Sequence, residues 1–290
     1  QEAFVVNAGA EQSSGIPQAK QLQGKELSYN NFLDGDAALL CLNEFKRSPS
    51  CVIVKHNSPC GVGVGKNIES AYLKAFAVDS LSAFGGVVAL NKRCTTKLAK
   101  EINKTFFEII IAPSFDSGAL KIFSKKKNLR VLCLKKYISP DFSIKTIAGG
   151  SLGQGSDSSK LNKKNLVVPT KKKLTPNQLS TLLFAWKVVK HTKSNAIVVA
   201  KNNKIISISG GQTSRVDATK IAFEKTKIPK GCVVASDAFF PFKDSIETMA
   251  KYKIAAVVQP GGSIRDGEVI ESCNNNKIAM AFTGFRVFKH

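Results

Sequence analysis

The apolar run Cys51-Val-Ile-Val54 delivers a lysine and a histidine side by side, Lys55-His56, and continues as Asn57-Ser-Pro-Cys-Gly61. An ammonium beside an imidazole offers a proton donor next to a proton acceptor, which is what general acid–base transfer needs. Where a buried strand ends in a loop, the strand fixes position and the loop admits a substrate. The bland alternative is a solvated Lys-His pair at a strand end. The zinc-deaminase pattern, H-x-E with a later P-C-x-x-C, is not met, because Ser58 stands at the glutamate position and Gly63 at the second cysteine. Gly61-Val-Gly63-Val-Gly65 also lacks the G-x-G-x-x-G spacing of a dinucleotide site.

Later segments offer further chemistry. Lys193-Ser194-Asn195 brings an amide that both donates and accepts to the entry of a strand, or is simply a turn there. Ser209-Gly-Gly-Gln-Thr-Ser-Arg215 reads as strand, glycine pair and Ser-capped helix, the layout of an anion cradle or of an ordinary connecting loop. Arg215 in that helix's first turn opposes the helix dipole unless an anion sits nearby. Ser236-Asp237-Ala-Phe239-Phe240-Pro241-Phe242 supplies either core or an aromatic wall for a planar ligand. The chain closes on Arg286-Val-Phe288-Lys-His290.

The elements that must position these groups alternate between two periods, which predicts α/β layers. Strands are expected at 51–55, 87–90, 109–112, 131–134, 196–200, 205–208, 232–235, 255–259 and 278–282. Helices are expected at 36–45, 68–78, 96–106, 176–190, 214–226, 244–252 and 266–274. The helix from Pro176 is the best specified. Thr175 is its cap, Gln178 can close a capping box, and Leu179, Leu182, Leu183, Trp186 and Val189 form one apolar face. Asn202-Asn203 predicts a tight hairpin turn. The Ser-, Asn- and Lys-rich stretch 156–174 reads as a linker or exposed excursion between a first unit, 1–155, and a second, 175–290.

At 290 residues and 43% apolar, the chain is long enough for one large core or two modest ones, and no apolar run is long enough for a membrane span. The net charge of +22 invites a nucleic-acid reading. Yet only six of the 43 basic residues are arginine, and the lysines are scattered over loops, so no specific nucleic-acid partner is expected. Seven cysteines without a C-x-x-C pair, mostly in apolar runs, suggest reduced core thiols and a cytoplasmic setting. The start at Gln1 suggests a fragment or a processed chain.

Taken in order, K-H-x-x-P-C-G, Ser82-Ala-Phe-Gly-Gly86, Ile110-Ile-Ala-Pro113, Phe184-Ala-Trp-Lys187, Lys193-Ser-Asn-Ala-Ile197, Gly211-Gln-Thr-Ser-Arg-Val216, Ser236-Asp-Ala-Phe-Phe-Pro-Phe242, Gln259-Pro-Gly-Gly-Ser263 and the terminal Arg-x-Phe-x-His resemble the AICAR transformylase portion of the bifunctional purine biosynthesis family. The resemblance runs from about Gln21 to His290. It implies two cytidine-deaminase-like three-layer α/β/α subdomains with mixed sheets and no zinc. It implies transfer of a formyl group from 10-formyltetrahydrofolate to the 5-amino group of aminoimidazole carboxamide ribonucleotide (AICAR), in a homodimer whose sites lie across the interface.

Residue by residue, the resemblance implies His56 as base, Lys55 as aid to the leaving group, and Asn195 as the orienting amide. Substrate contacts fall on Asn57, Gly211, Gln212, Arg215, Phe239, Arg286, Phe288 and His290, and folate contacts on Glu108, Ile110 and Pro241. A structural K+ is implied near Thr192, Ser194 and Asp237. Three departures stand out: Ser58 replaces an asparagine of the motif, Ser207-Ile-Ser-Gly-Gly-Gln-Thr-Ser-Arg215 has lost two small residues, and the family's Arg-Tyr-Gly-Glu-Asn-Pro-His-Gln motif is not in the sequence. The absent cyclohydrolase portion and that motif leave a weakly active or inactive fragment as the alternative.

Overall fold

The computed structural model describes residues 14–290, so residues 1–13 of the expected first unit lie outside it. The N-terminal half runs β1 (Lys20–Gln23), α1 (Tyr29–Leu42), β2 (Ser50–Lys55), β3 (Ser58–Val64), α2 (Ile68–Phe76), α3 (Ser80–Ala83), β4 (Val87–Leu90), α4 (Thr96–Ile102), β5 (Ile109–Ala112), α5 (Ser117–Phe123) and β6 (Arg130–Cys133). A separate hairpin follows, β7 (Phe142–Ile147) and β8 (Gly150–Gly155). The C-terminal half runs α6 (Pro176–Val189), β9 (Ile197–Lys201), β10 (Lys204–Ser209), α7 (Arg215–Glu224), β11 (Val233–Ser236), α8 (Asp244–Lys251), β12 (Ala256–Gln259), α9 (Asp266–Asn275) and β13 (Ala279–Phe282).

Two mixed sheets result, ordered β1-β6-β5-β4-β2-β3 and β10-β9-β11-β12-β13. In each, a hairpin at one edge pairs antiparallel with a parallel trio, β4-β5-β6 or β11-β12-β13. Edge strands β3 and β10 lie against each other, so the two orders read as a palindrome across that seam. No periodic sequence repeat announces this duplication; it is a repeat of topology. The fold is mixed α/β, and no helix among the described residues is long and apolar enough to cross a membrane.

The central strands are apolar on both faces because helices cover both. One face of the first sheet meets α2, α4 and α5 through Ile53, Val88, Ile110 and Val131, while Val199, Val234, Val257 and Met280 of the second meet α7, α8 and α9. The opposite faces share one continuous core with α1 and α6. On α6 the buried face is Thr181, Leu182, Ala185, Trp186, Val188 and Val189, one residue further round than expected, and Leu179 and Leu183 are only half-buried.

Several expectations are revised. The strand at 51–55 does not end in an open loop; the chain turns at His56-Asn57 and runs straight into β3, to which Pro59 belongs. An edge strand tolerates proline, and the register shifts between Ile53 and Val54 beside it. Helix α1 begins at Tyr29 rather than Asp36, because Ser28 and Asn31 form a capping box. Helix α4 ends at Ile102. The stretch 156–174 is mostly exposed, but Val167 bridges to Phe282 and the buried Thr170 hydroxyl accepts from the Met280 amide at 3.0 Å, so the stretch is tied to β13. All seven cysteines are free, six of them buried.

Candidate active site at the seam of the two halves

His56 and Asn57 form the turn of the β2–β3 hairpin, both in the left-handed region (φ 53° and 66°). Asp34 of α1 accepts from both turn amides, at 3.3 Å from His56 N and 2.6 Å from Asn57 N. Lys55 Nζ donates to the Phe84 carbonyl at 2.6 Å. That carbonyl belongs to the Gly85-Gly86 loop, and the Glu108 amide donates to Gly86 O at 3.0 Å, so one loop touches both Lys55 and Glu108.

The second half arrives from the other side of the seam. The Lys193 amide donates to Ser58 Oγ at 3.4 Å, so the serine that departs from the motif bridges the halves. Lys289 Nζ donates to Asn57 O at 3.4 Å, and Lys289 O accepts from the Ser194 amide at 2.9 Å. Asn195 Nδ2 donates to the carbonyls of Gln212 (2.9 Å) and Thr213 (3.2 Å), which locks the 210–213 loop onto the 193–195 segment. Gly210 is required there, because a Cβ would lie 2.8 Å from Lys193 O and 2.4 Å from Thr192 Cγ2.

Arg215 is 6% exposed, and its Nη1 is held by the Asp237 carboxylate and the Ala196 carbonyl. The anion that offsets Arg215 in the first turn of α7 is therefore Asp237, and the guanidinium is turned inward toward it. Asp237 also accepts from the Ala196 amide at 2.9 Å and, through its own carbonyl, from Val287 N at 3.0 Å. Asp237 Oδ2 and Arg215 Nε are buried without partners.

Phe239 and Phe242 are exposed and Pro241 is half-buried, while Phe240 is core. Arg286 stacks over Phe288 at 5.0 Å and Phe288 lies 5.7 Å from His290, an exposed cation–aromatic run at the chain's end. Two of the residues expected to meet folate are held within the first sheet. Glu108 is paired with Arg130 at 2.7 Å. Ile110 is fully buried in the middle of β5, among Val88 and Val131, and its side chain has no surface to give a ligand. Motif reading did not single out Asp34 or Lys289, which carry no recognisable pattern of their own and are identified only by what they touch.

A family model described as the AICARFT/IMPCHase bienzyme matches residues 1–225. The bifunctional purine biosynthesis protein PurH of Aquifex aeolicus (strain VF5) is 51% identical over 280 residues, covering 95% of this chain and 55% of that protein. The protein of the same name from Acetivibrio thermocellus is 51% identical over 280 residues, with 95% and 54% covered. That of Bacillus cytotoxicus is 45% identical over 293 residues, with 100% and 57% covered. The chain spans about half the length of the curated relatives it matches.

Proposed function

We propose a function from one premise: this chain belongs to the AICARFT/IMPCHase bienzyme family. The function is formyl transfer from 10-formyltetrahydrofolate to the 5-amino group of AICAR, a step of purine biosynthesis. The observation that carries it is the seam itself, where the Lys55-His56 pair on a clamped turn is tied by hydrogen bonds to the Ser194-Asn195 segment.

The acceptor amine is a weak nucleophile, since its lone pair is delocalised into the imidazole and carboxamide. As it attacks the formyl carbon, its proton passes to the His56 imidazole. The bond from that carbon to folate N10 then breaks, and N10 takes a proton from the Lys55 ammonium. The products are the formamido ribonucleotide and tetrahydrofolate, and solvent exchange resets both side chains. Asn195 orients the reacting groups, while Asn57, Gly211, Gln212, Phe239, Arg286, Phe288 and His290 hold the nucleotide and Glu108 and Pro241 the folate. Arg215 serves by ordering the loop before α7.

A monovalent cation such as K+ fits the same reading, since the buried Asp237 Oδ2 lacks a partner and Thr192 and Ser194 lie on the neighbouring segment. Such an ion would hold that segment in place. The homodimer, the cytoplasmic setting, the division at 155–175 and the cytidine-deaminase-like character of each half belong to the proposal too.

The test is tetrahydrofolate formation, followed by absorbance, with the purified chain, AICAR and 10-formyltetrahydrofolate. Lys55→Ala and His56→Ala should each lower turnover by roughly 10²–10⁴ without abolishing AICAR binding by calorimetry. A variant at either position with the rate of the unmodified chain would overturn the assigned roles.

A further inference from the structure

We propose that Lys289 and Asp34 are positioning residues for the Lys55-His56 pair, gripping the His56-Asn57 turn from its carbonyl and its amide sides. The inference rests on the formyl-transfer reading of that site.

Two hairpins occupy matching places in the palindrome, and both turn through two residues of positive φ. In β9–β10 these are Asn202 and Asn203 (φ 51° and 55°), a residue type that, after glycine, readily enters the left-handed region. In β2–β3 the first is a histidine, which needs more external support to stay there. The surrounding fold supplies that support. Asp34 takes both N–H groups of the turn, and Lys289 donates to the carbonyl of Asn57.

Lys289 also does something Asp34 cannot. Its side chain holds the turn of the first half, and its backbone carbonyl accepts from Ser194, next to Asn195 of the second half. One residue therefore sets the spacing between the proton-transfer pair and the orienting amide. Its ammonium is half-buried, and that burial pushes its pKa down; the nearby Asp36 and Asp34 carboxylates and the Cys41 thiol act in the opposite sense, while Lys193 adds to the lowering. A lysine is withdrawn from water at a cost, and fixing an active-site turn accounts for its being there.

The experiment compares Lys289→Met and Lys289→Arg by kcat, KM and amide hydrogen exchange. A misplacement on the order of 1 Å costs about 10²-fold in rate. Lys289→Met is therefore expected to lower kcat roughly 10–100-fold, change the AICAR KM by less than about threefold, and speed exchange at the His56 and Asn57 amides about tenfold. Lys289→Arg, which keeps a cationic donor, should recover most of the lost kcat. Wild-type kcat in Lys289→Met, or an Arg variant as impaired as the Met variant, overturns the proposal. Should the Met variant fail to fold, exchange in the unmodified chain decides. Protection of the His56 and Asn57 amides supports the grip, and exchange as fast as at the exposed Ala148-Gly149 turn refutes it. If the unmodified chain transfers no formyl group, the functional reading fails, while the exchange result still judges the clamp alone.

Discussion

Gly61 and Gly63 are glycine because α2 lies directly on β3. A Cβ on Gly61 would sit 2.2 Å from Ala75 O, and one on Gly63 2.1 Å from Ala71 O. The G-V-G-V-G run, whose spacing does not fit a dinucleotide site, is thus a packing surface whose valines alternate with bare backbone. Since the obstructing atoms belong to a helix backbone, nothing can yield cheaply. Gly63→Ala should destabilise the chain by about 1–3 kcal/mol in urea unfolding. Gly155→Ala, with nothing within 4 Å, should stay within about 0.5 kcal/mol. Equal midpoints for the two variants would disprove this account of β3. The same hairpin then has to hold His56 at φ 53°, so its geometry is fixed at both ends, by α2 along the strand and by Asp34 at the tip.

At the scale of elements, α6 is the clearest link from local chemistry to the shared core. The Thr175 hydroxyl accepts from Gln178 N at 3.2 Å, Gln178 Oε1 accepts from Thr175 N at 2.9 Å, and Pro176 fills the first turn. The helix so started carries Leu182, Ala185, Trp186 and Val189 into the core common to both sheets. Removing the cap by Thr175→Ala should cost about 1 kcal/mol, measured by thermal or urea unfolding, while turnover in the proposed reaction stays unchanged because the cap's side-chain hydrogen bonds run to Gln178 and to no site residue. A larger loss of turnover than of stability would mean that α6 is coupled to the site. The cysteines illustrate the same burial. Desolvation pushes the thiols of Cys41, Cys60, Cys94 and Cys273 up to about 12, so they are poor nucleophiles while the fold is intact.

For the molecule as a whole, the seam matters more than either half. Besides the contacts around Asn57 and Ser58, Lys225, the C-cap of α7, pairs with Asp79 at 2.8 Å, and Asp79 caps α3 by accepting from the Ser82 amide. Burial alone would raise the Asp79 pKa, but the Lys225 hydrogen bond and the Ser82 amide and hydroxyl outweigh it and hold the carboxyl below its ordinary value. A carboxylate held low in the folded state contributes stability above its unfolded pKa and loses it as pH falls through the folded value. Asp79→Asn should therefore cost about 1 kcal/mol at pH 7, with the gap in Tm closing as the pH drops below about 4. A gap that persists in acid would assign the effect to the Asn side chain instead of the charge. The palindrome also explains why the candidate site stands at one end of the seam. The His56-Asn57 turn meets the approach to β9 there, while the matching Asn202-Asn203 turn bonds to α6 and lines a groove whose walls include Arg47 and Ser48.

Wherever a local rule is sufficient, the sequence decided the outcome. Val87–Leu90 and Ile109–Ala112 are strands because β-branched apolar runs suit a sheet covered on both faces. Thr175 and Pro176 start a helix by supplying what its first turn lacks, and Asn202-Asn203 turns because asparagine tolerates positive φ. The ordered motifs likewise identified the family. The tertiary structure decided what depends on distant partners: that Pro59 lies in a strand, that Arg215 turns inward to Asp237, that Ile110 is core, and that Lys289 reaches Asn57 across 232 positions. Such contacts arise from the docking of two topologically repeated halves, and periodicity within either half carries no trace of which edge its partner will cover.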